Sequence, residues 1–134
     1  MRVVAGRFRG TRLEAMAGDK TRPTTDKVKE AMFSMLMPFL SGGNVLDLYA
    51  GTGGLGIEAV SRGMTHATLV DRQFQAIKVI QSNVDKTHDA AAFSILKMPA
   101  QQALQNFVAA QQLSLIHISE PTRRNNLSRM PSSA

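Results

Sequence analysis

Two carboxylates bracket a glycine cluster in this chain, and their spacing suggests the chemistry. Asp47 stands four residues before Gly51 in the run Asn44 to Glu58, N-V-L-D-L-Y-A-G-T-G-G-L-G-I-E, and Asp71 closes Thr68-Leu69-Val70, 20 residues beyond Gly51. Gly51, Gly53 and Gly56 form G-x-G-x-x-G, a spacing that lets a loop turn sharply, admit a ligand against its backbone and pack the next helix on the preceding strand. That helix would offer its first N–H groups to the ligand. Asp47 bears on which ligand: a carboxylate here disfavours a pyrophosphate and favours a cation. Asp71 falls where nucleotide sites of this kind hold ribose hydroxyls. The glycines alone equally suit an NAD-type oxidoreductase, which stays open.

The flanking residues predict the elements that hold these groups. Val45, Leu46, Leu48 and Tyr49 form an apolar strand running into the glycines, and Leu55 to Ser61 a helix stopped by Gly63, with Glu58 anchoring it. Thr68 to Asp71 reads as a second strand and Phe74 to Asn83 as a helix with Phe74, Ile77, Val79 and Ile80 apolar. Ala92 to Leu96 reads as a third strand, and Leu104, Phe107 and Val108 mark another helix. Ahead of these, Arg2 to Leu13 alternates apolar and basic residues around glycine, as a small β-hairpin would. Thr24 or Thr25 is placed to cap a helix, with Asp26 at its positive end. Val28, Met32, Phe33, Met35 and Leu36 supply that helix's apolar stripe, expected in the core, and Pro38 ends it. The fold class is α/β.

With 134 residues the chain is one domain's worth, short for a complete doubly wound sheet. It lacks cysteine, which removes disulfides and thiolate metal sites, and shows neither a signal-like segment nor a membrane-length apolar run. A cytoplasmic protein is expected. His66, His88 and His117 lack ligand spacing, so no metal is expected, and loop or exposed positions suit them. The net charge of +6 is uneven: residues 1–30 hold eight Lys/Arg against four Asp/Glu, whereas residues 31–112 hold five of each. Such a basic arm suits a polyanion, with Arg7, Arg9 and Arg12 on one face of the hairpin as phosphate contacts. A non-catalytic RNA-binding module is therefore a second open reading.

The D-x-x-x-G-x-G pattern from Asp47 to Gly53 resembles the first motif of S-adenosylmethionine (SAM) methyltransferases. More specifically, R-V-V-A-G-R-F-R-G, then R-P-T-T-D-K-V-K-E-A-M-F, then L-D-L-Y-A-G-T-G-G-L-G-I-E-A-V-S-R-G and L-V-D resemble the RsmD family of bacterial 16S ribosomal RNA guanine-N2 methyltransferases, from residue 2 to about residue 112. The resemblance implies the N-terminal part of a Rossmann-like SAM-dependent sheet, a 16S rRNA or small-subunit partner, and a monomer. Asp47, Tyr49, Gly51, Thr52, Gly53, Gly56, Asp71 and Ala100 would line the SAM site, and Arg7, Arg9, Arg12 and Arg22 would contact RNA. Two departures stand out. The family has a polar residue for adenine after the third strand where this chain has Met98-Pro99-Ala100, leaving backbone groups near Ala100 to serve. The family's Asn/Asp-Pro-Pro-Phe/Tyr motif is absent, so no catalytic residue is assigned. Leu113 to Arg123 resembles a translated sequencing adapter, and Ser128 to Ala134 its distal primer segment. The expected organisation is an arm over residues 1–40, half of a SAM domain over 41–112, and a non-native tail over 113–134. The chain as written is then an inactive fragment, whose apolar Leu113 to Ser119 could still settle as a strand on the empty edge of the first one.

Overall fold

The computed structural model describes residues 1–15, 26–109 and 115–118. Its elements are α1 (Asp26–Leu36), β1 (Asn44–Asp47), α2 (Gly54–Ser61), β2 (His66–Asp71), α3 (Phe74–Lys86), β3 (Phe93–Lys97), α4 (Ala100–Ala109) and β4 (Leu115–Ile118). Short 3-10 turns follow α1 at Met37–Phe39 and precede β3 at Ala90–Ala92. All described strands of the sheet are parallel, in the order β3-β2-β1-β4. Parallel neighbours need crossovers, which α2, α3 and α4 supply.

Successive residues of a strand face opposite sides of a sheet, and β1 shows it: Val45 joins one core and Leu46 the other. The larger core gathers Val45, Ala67 and Leu69 with Ile57, Val60, Ile80 and Val84 of α2 and α3. The smaller one packs Leu46, Leu48 and Val70 against Ala103, with Phe107 beside it. Helices therefore cover both faces, as buried parallel strands require. Gly56 fixes the fit on the first face, because a Cβ there would lie 2.2 Å from Leu69 Cδ2.

The sheet extends one strand beyond the three expected from the residues ahead of the tail. Leu115–Ile118 pairs with Asn44–Asp47 residue for residue. An apolar, β-prone segment satisfies the open hydrogen-bonding edge of β1 there, which is the placement anticipated for it.

The N-terminal segment departs from the expected hairpin. It has a single antiparallel bridge, Arg2 to Arg12, with Val3 N–H donating to Thr11 C=O and Gly10 N–H to Val3 C=O beside it. No longer ladder forms because the next N–H groups point at α2 instead. Val4 and Ala5 N–H donate to the Glu58 carboxylate, Arg7 N–H to Ser61 C=O and Phe8 N–H to Ser61 Oγ. Gly6 makes this approach possible, at φ +92° and with no room for a Cβ against Ser61 O. Val3, Phe8 and Leu13 are thereby buried in the same core as Val45 and Ile57, so the segment is packed onto the sheet domain.

Two apolar stripes are also narrower than expected. On α1, Phe33 is fully buried and Met32 and Leu36 are partly so, but Val28 and Met35 are exposed and Lys29 is buried in their place. On α3, Ile80 is buried whereas Phe74 is exposed, its ring lying 5.5 Å from Lys78 Nζ. Buried ion pairing outweighs hydropathy for Lys29. Phe74 sits at the first position of its helix, beyond the edge of the core. His66 is a strand residue, its Nε2 2.8 Å from Ser94 Oγ, and not a loop histidine. Thr24 and Thr25, of which one is expected to cap α1, lie outside the described residues.

Candidate functional site

From β1 the chain passes to β2 and β3 on one side and returns to β4 on the other, so the strand order reverses at β1. An open α/β sheet gapes at such a reversal, and ligands bind outside the carboxyl ends of the strands there. Asp47 closes β1 and Asp71 closes β2, so both carboxylates stand at this edge. Asp47 is 1% exposed and pairs in register with Leu69, and Asp71 ends β2 beyond that partner.

The glycine loop joins them. Gly51, at φ +58°, donates its N–H to Asp71 Oδ2 at 3.0 Å, and Gln73 N–H donates to Asp71 Oδ1 at 2.9 Å. Asp71 thus opens the turn into α3 and anchors the loop at once. A Cβ at Gly51 would meet nothing within 4 Å, so a ligand can reach the backbone there. Gly53, at φ +85°, bonds its N–H to Ala50 C=O at 2.7 Å and lies on Ile57, Leu69 and Ile80. Thr52 Oγ1 accepts the Gly54 N–H at 3.2 Å, and Tyr49 is half-exposed on the lip of the loop. Ala100 begins α4, and the Pro99 carbonyl beside it accepts the Ala103 N–H. Gly56 is the exception among the expected cofactor residues: it is buried in the α2–β2 contact with Leu69, so helix packing explains it and ligand contact does not.

This arrangement suits a ligand that carries both an amine and ribose hydroxyls. Asp47 is a buried carboxylate at the strand end, a group able to hold a cation, and each Asp71 oxygen keeps a lone pair after its N–H bond, able to accept from a hydroxyl. Gly51 leaves the approach clear.

The basic residues divide. Arg9 and Arg12 are exposed on the N-terminal segment. Arg7 is held by Asp89, its Nη1 donating to Oδ2 at 2.6 Å, and its guanidinium lies 4.6 Å from the centre of the Phe8 ring. Arg22 lies outside the described residues.

Four positioning residues went unassigned in the sequence or were underrated. Glu58 is fully buried and accepts from Val4 N–H, Ala5 N–H, Lys29 Nζ at 3.1 Å and Arg62 Nε at 2.7 Å. Its burial raises the pKa, but the Val4 N–H bond, the Arg62 bond and the Lys29 charge outweigh it and hold the carboxyl below the ordinary value of 4.5. Lys29 Nζ also donates to Arg2 C=O at 2.9 Å. Ser61 Oγ donates to Ala5 C=O at 2.6 Å and accepts from Phe8. Asn83 bonds to the backbone of both Glu14 and Thr52. A signal existed for two of them. Glu58 is the one charged residue of α2, with Arg62 four positions on at its C-cap, and Asn83 follows Ala76 and Ile80 on the buried face of α3.

Comparison with known proteins finds relatives of this chain. The profile of a family described as conserved hypothetical protein 95 matches residues 1–131. Bacillus subtilis YlbH, provisionally named as an rRNA methyltransferase, is 49% identical over 104 residues, covering 78% of this chain and 56% of that protein. Ribosomal RNA small subunit methyltransferase D of Escherichia coli is 41% identical over 71 residues, 53% of this chain and 36% of that one. Among solved structures, an Escherichia coli chain titled as a methyltransferase, yhhF, superposes with a TM-score of 0.67 at 32% identity, covering 78% of this chain and 55% of the other. The hypothetical protein TTHA0928 of Thermus thermophilus gives a TM-score of 0.71 at 26% identity, with coverages of 83% and 63%. The chain spans about half the length or less of the curated relatives it matches.

Proposed function

Because the chain belongs to the conserved hypothetical protein 95 family, whose relatives include small-subunit rRNA methyltransferases, we propose that it carries the cofactor half of an enzyme that methylates guanine N2 in 16S rRNA. The observation that carries this is the union of Asp71 with the Gly51 amide at the strand-order reversal, with Asp47 ending the adjacent strand. SAM, when bound, supplies a methyl group already activated by its sulfonium. The chain's own residues hold it. Asp47 takes the amino end, Asp71 the ribose hydroxyls, and the backbone at Gly51, Thr52 and Gly53 lines the approach, with Tyr49 and Ala100 at the margins. The protein works in the cytoplasm, as a monomer, on the small ribosomal subunit. Residues 113–134 take no part in this reading, although the profile match runs through residue 131 and four of them pair with β1.

Calorimetric titration with SAM and with NAD tests the cofactor. SAM is expected to bind and NAD not; binding of NAD alone would end the methyltransferase reading, and an intact fold that binds neither would favour a non-catalytic RNA module. Within the same titration, Asp47→Ala should weaken SAM more than Asp71→Asn. A charge-assisted bond to an ammonium is worth about 1.5–3 kcal/mol, against about 0.5–1.5 kcal/mol for a neutral hydroxyl partner. Equal losses would move the amine away from Asp47.

The N-terminal segment binds RNA through phosphates, without sequence preference of its own. Replacing Arg9 and Arg12 together should reduce the slope of log affinity against log salt by about two units, one phosphate for each. Adding the Arg7 replacement should remove less than one further unit, since Asp89 already compensates that guanidinium. An unchanged slope would show these arginines to be merely solvated.

A further inference from the structure

Asn83 is a polar residue with no exposed surface, on the face of α3 that carries Ala76, Ile80 and Val84. Its Nδ2 donates to Thr52 C=O at 2.8 Å and to Glu14 C=O at 3.0 Å, while its Oδ1 accepts the Glu14 N–H at 2.7 Å. The assignment of the amide is unambiguous, because exchanging its ends would set an oxygen against two carbonyls. One side chain therefore fastens the end of the basic segment and the crown of the glycine loop to the same helix.

The two attachments are close neighbours of both candidate sites. Glu14 follows Arg12 and Leu13, and Leu13 N–H closes the segment on Met1 C=O. The Met1 side chain in turn lies on Gly54, its Sδ 3.1 Å from where a Cβ would stand. Thr52 carries Gly54 N–H on its hydroxyl and follows Gly51, which is tied to Asp71. Arg7 reaches Asp89, beyond the far end of α3. A ligand that holds the basic segment in place thus also holds the position of the Thr52 carbonyl.

We propose that Asn83 is a positioning residue that couples RNA on the basic segment to SAM on the glycine loop, each ligand tightening the other. This rests on the functional reading above. Coupling between sites is reciprocal and typically amounts to about 5–150-fold in affinity, so a tightening of about fivefold or more is expected.

The test measures SAM affinity of the full chain by calorimetry, with and without a saturating short RNA hairpin, in wild type, Asn83→Ala and Glu14→Pro. Asn83→Ala removes all three bonds and risks the fold. Glu14→Pro, at an exposed residue, removes the N–H donated to Oδ1 together with the Glu14 side chain, fixes φ there, and leaves the bond to Thr52 in place. Wild type is expected to bind SAM about fivefold or more tightly with RNA present, and Glu14→Pro to lose most of that gain. Asn83→Ala, where folded, should lose the gain and bind SAM more weakly in both conditions. A merely structural role would lower melting temperatures without touching the RNA-dependent gain. No gain in wild type, or a full gain in Glu14→Pro, overturns the coupling while the cofactor assignment stands. Absence of SAM binding to wild type overturns the cofactor assignment itself, and the coupling with it.

Discussion

Glu58→Ala is expected to cost the chain about 3–5 kcal/mol of stability, the range for removing one partner from a buried ion pair. Lys29 and Arg62 both lean on this carboxylate, and neither has water to turn to: their side chains are 1% and 10% exposed. The Val4 and Ala5 N–H groups lose their acceptor in the same stroke, so the N-terminal segment, α1 and α2 lose the one group that joins all three. A small domain holds only about 5–15 kcal/mol in all, so the variant should be near unfolding at room temperature, with its urea midpoint sharply lowered. A loss under about 1 kcal/mol would show that the cluster is not what docks the segment. Acid should act in the same direction. The folded carboxyl lies below its ordinary 4.5, so its contribution is present above that pH and is lost as the pH falls through the lower, folded value. Glu58→Gln should be less stable at neutral pH and show a flatter dependence below 4.5, measured by urea unfolding across a pH series.

Local signals made the sheet and its loop legible. Val45 and Leu46 run apolar into glycines with positive φ, and Asp71 closes the next strand, because strand, turn and helix each leave their own periodicity and punctuation. The N-terminal segment was less legible, since its fate depends on residues about fifty positions away. Alternation in Arg2 to Leu13 suits a hairpin, yet Glu58 and Ser61 take the N–H groups a hairpin would have used, and only one bridge remains. Lys29 shows the same limit: hydropathy puts it outside, whereas a carboxylate on another helix brings it in. In the site, Asp47 and Asp71 could be chosen from spacing. Asn83 could be marked only as a polar residue on a buried helix face, because what gives it its role is two backbone carbonyls from segments remote in sequence.

The chain as written is expected to transfer no methyl groups. Methyl transfer to a guanine amine needs that amine held in line with the activated methyl, and positioning two reactants can carry about 7–11 kcal/mol of the barrier. This chain matches 56% of YlbH and 36% of the Escherichia coli enzyme, and the family's Asn/Asp-Pro-Pro-Phe/Tyr motif does not occur in it. Leu115–Ile118 pairs with β1 at the sheet edge but carries none of that motif's residue types. At about 1.4 kcal/mol per tenfold, losing that alignment lowers the rate by some five to eight orders of magnitude, below detection.

The central proposal is that residues 1–112 hold the cofactor of an RNA methyltransferase and are expected to transfer no methyl group by themselves. The measurement is incorporation of labelled methyl from SAM into small-subunit RNA. It compares the chain as written, residues 1–112, and residues 1–112 joined to the C-terminal half of a full-length relative. Only the joined protein is predicted to label the RNA. Labelling by the chain as written that disappears in Glu120→Ala would contradict the account, and so would a joined protein that binds RNA and SAM yet transfers nothing.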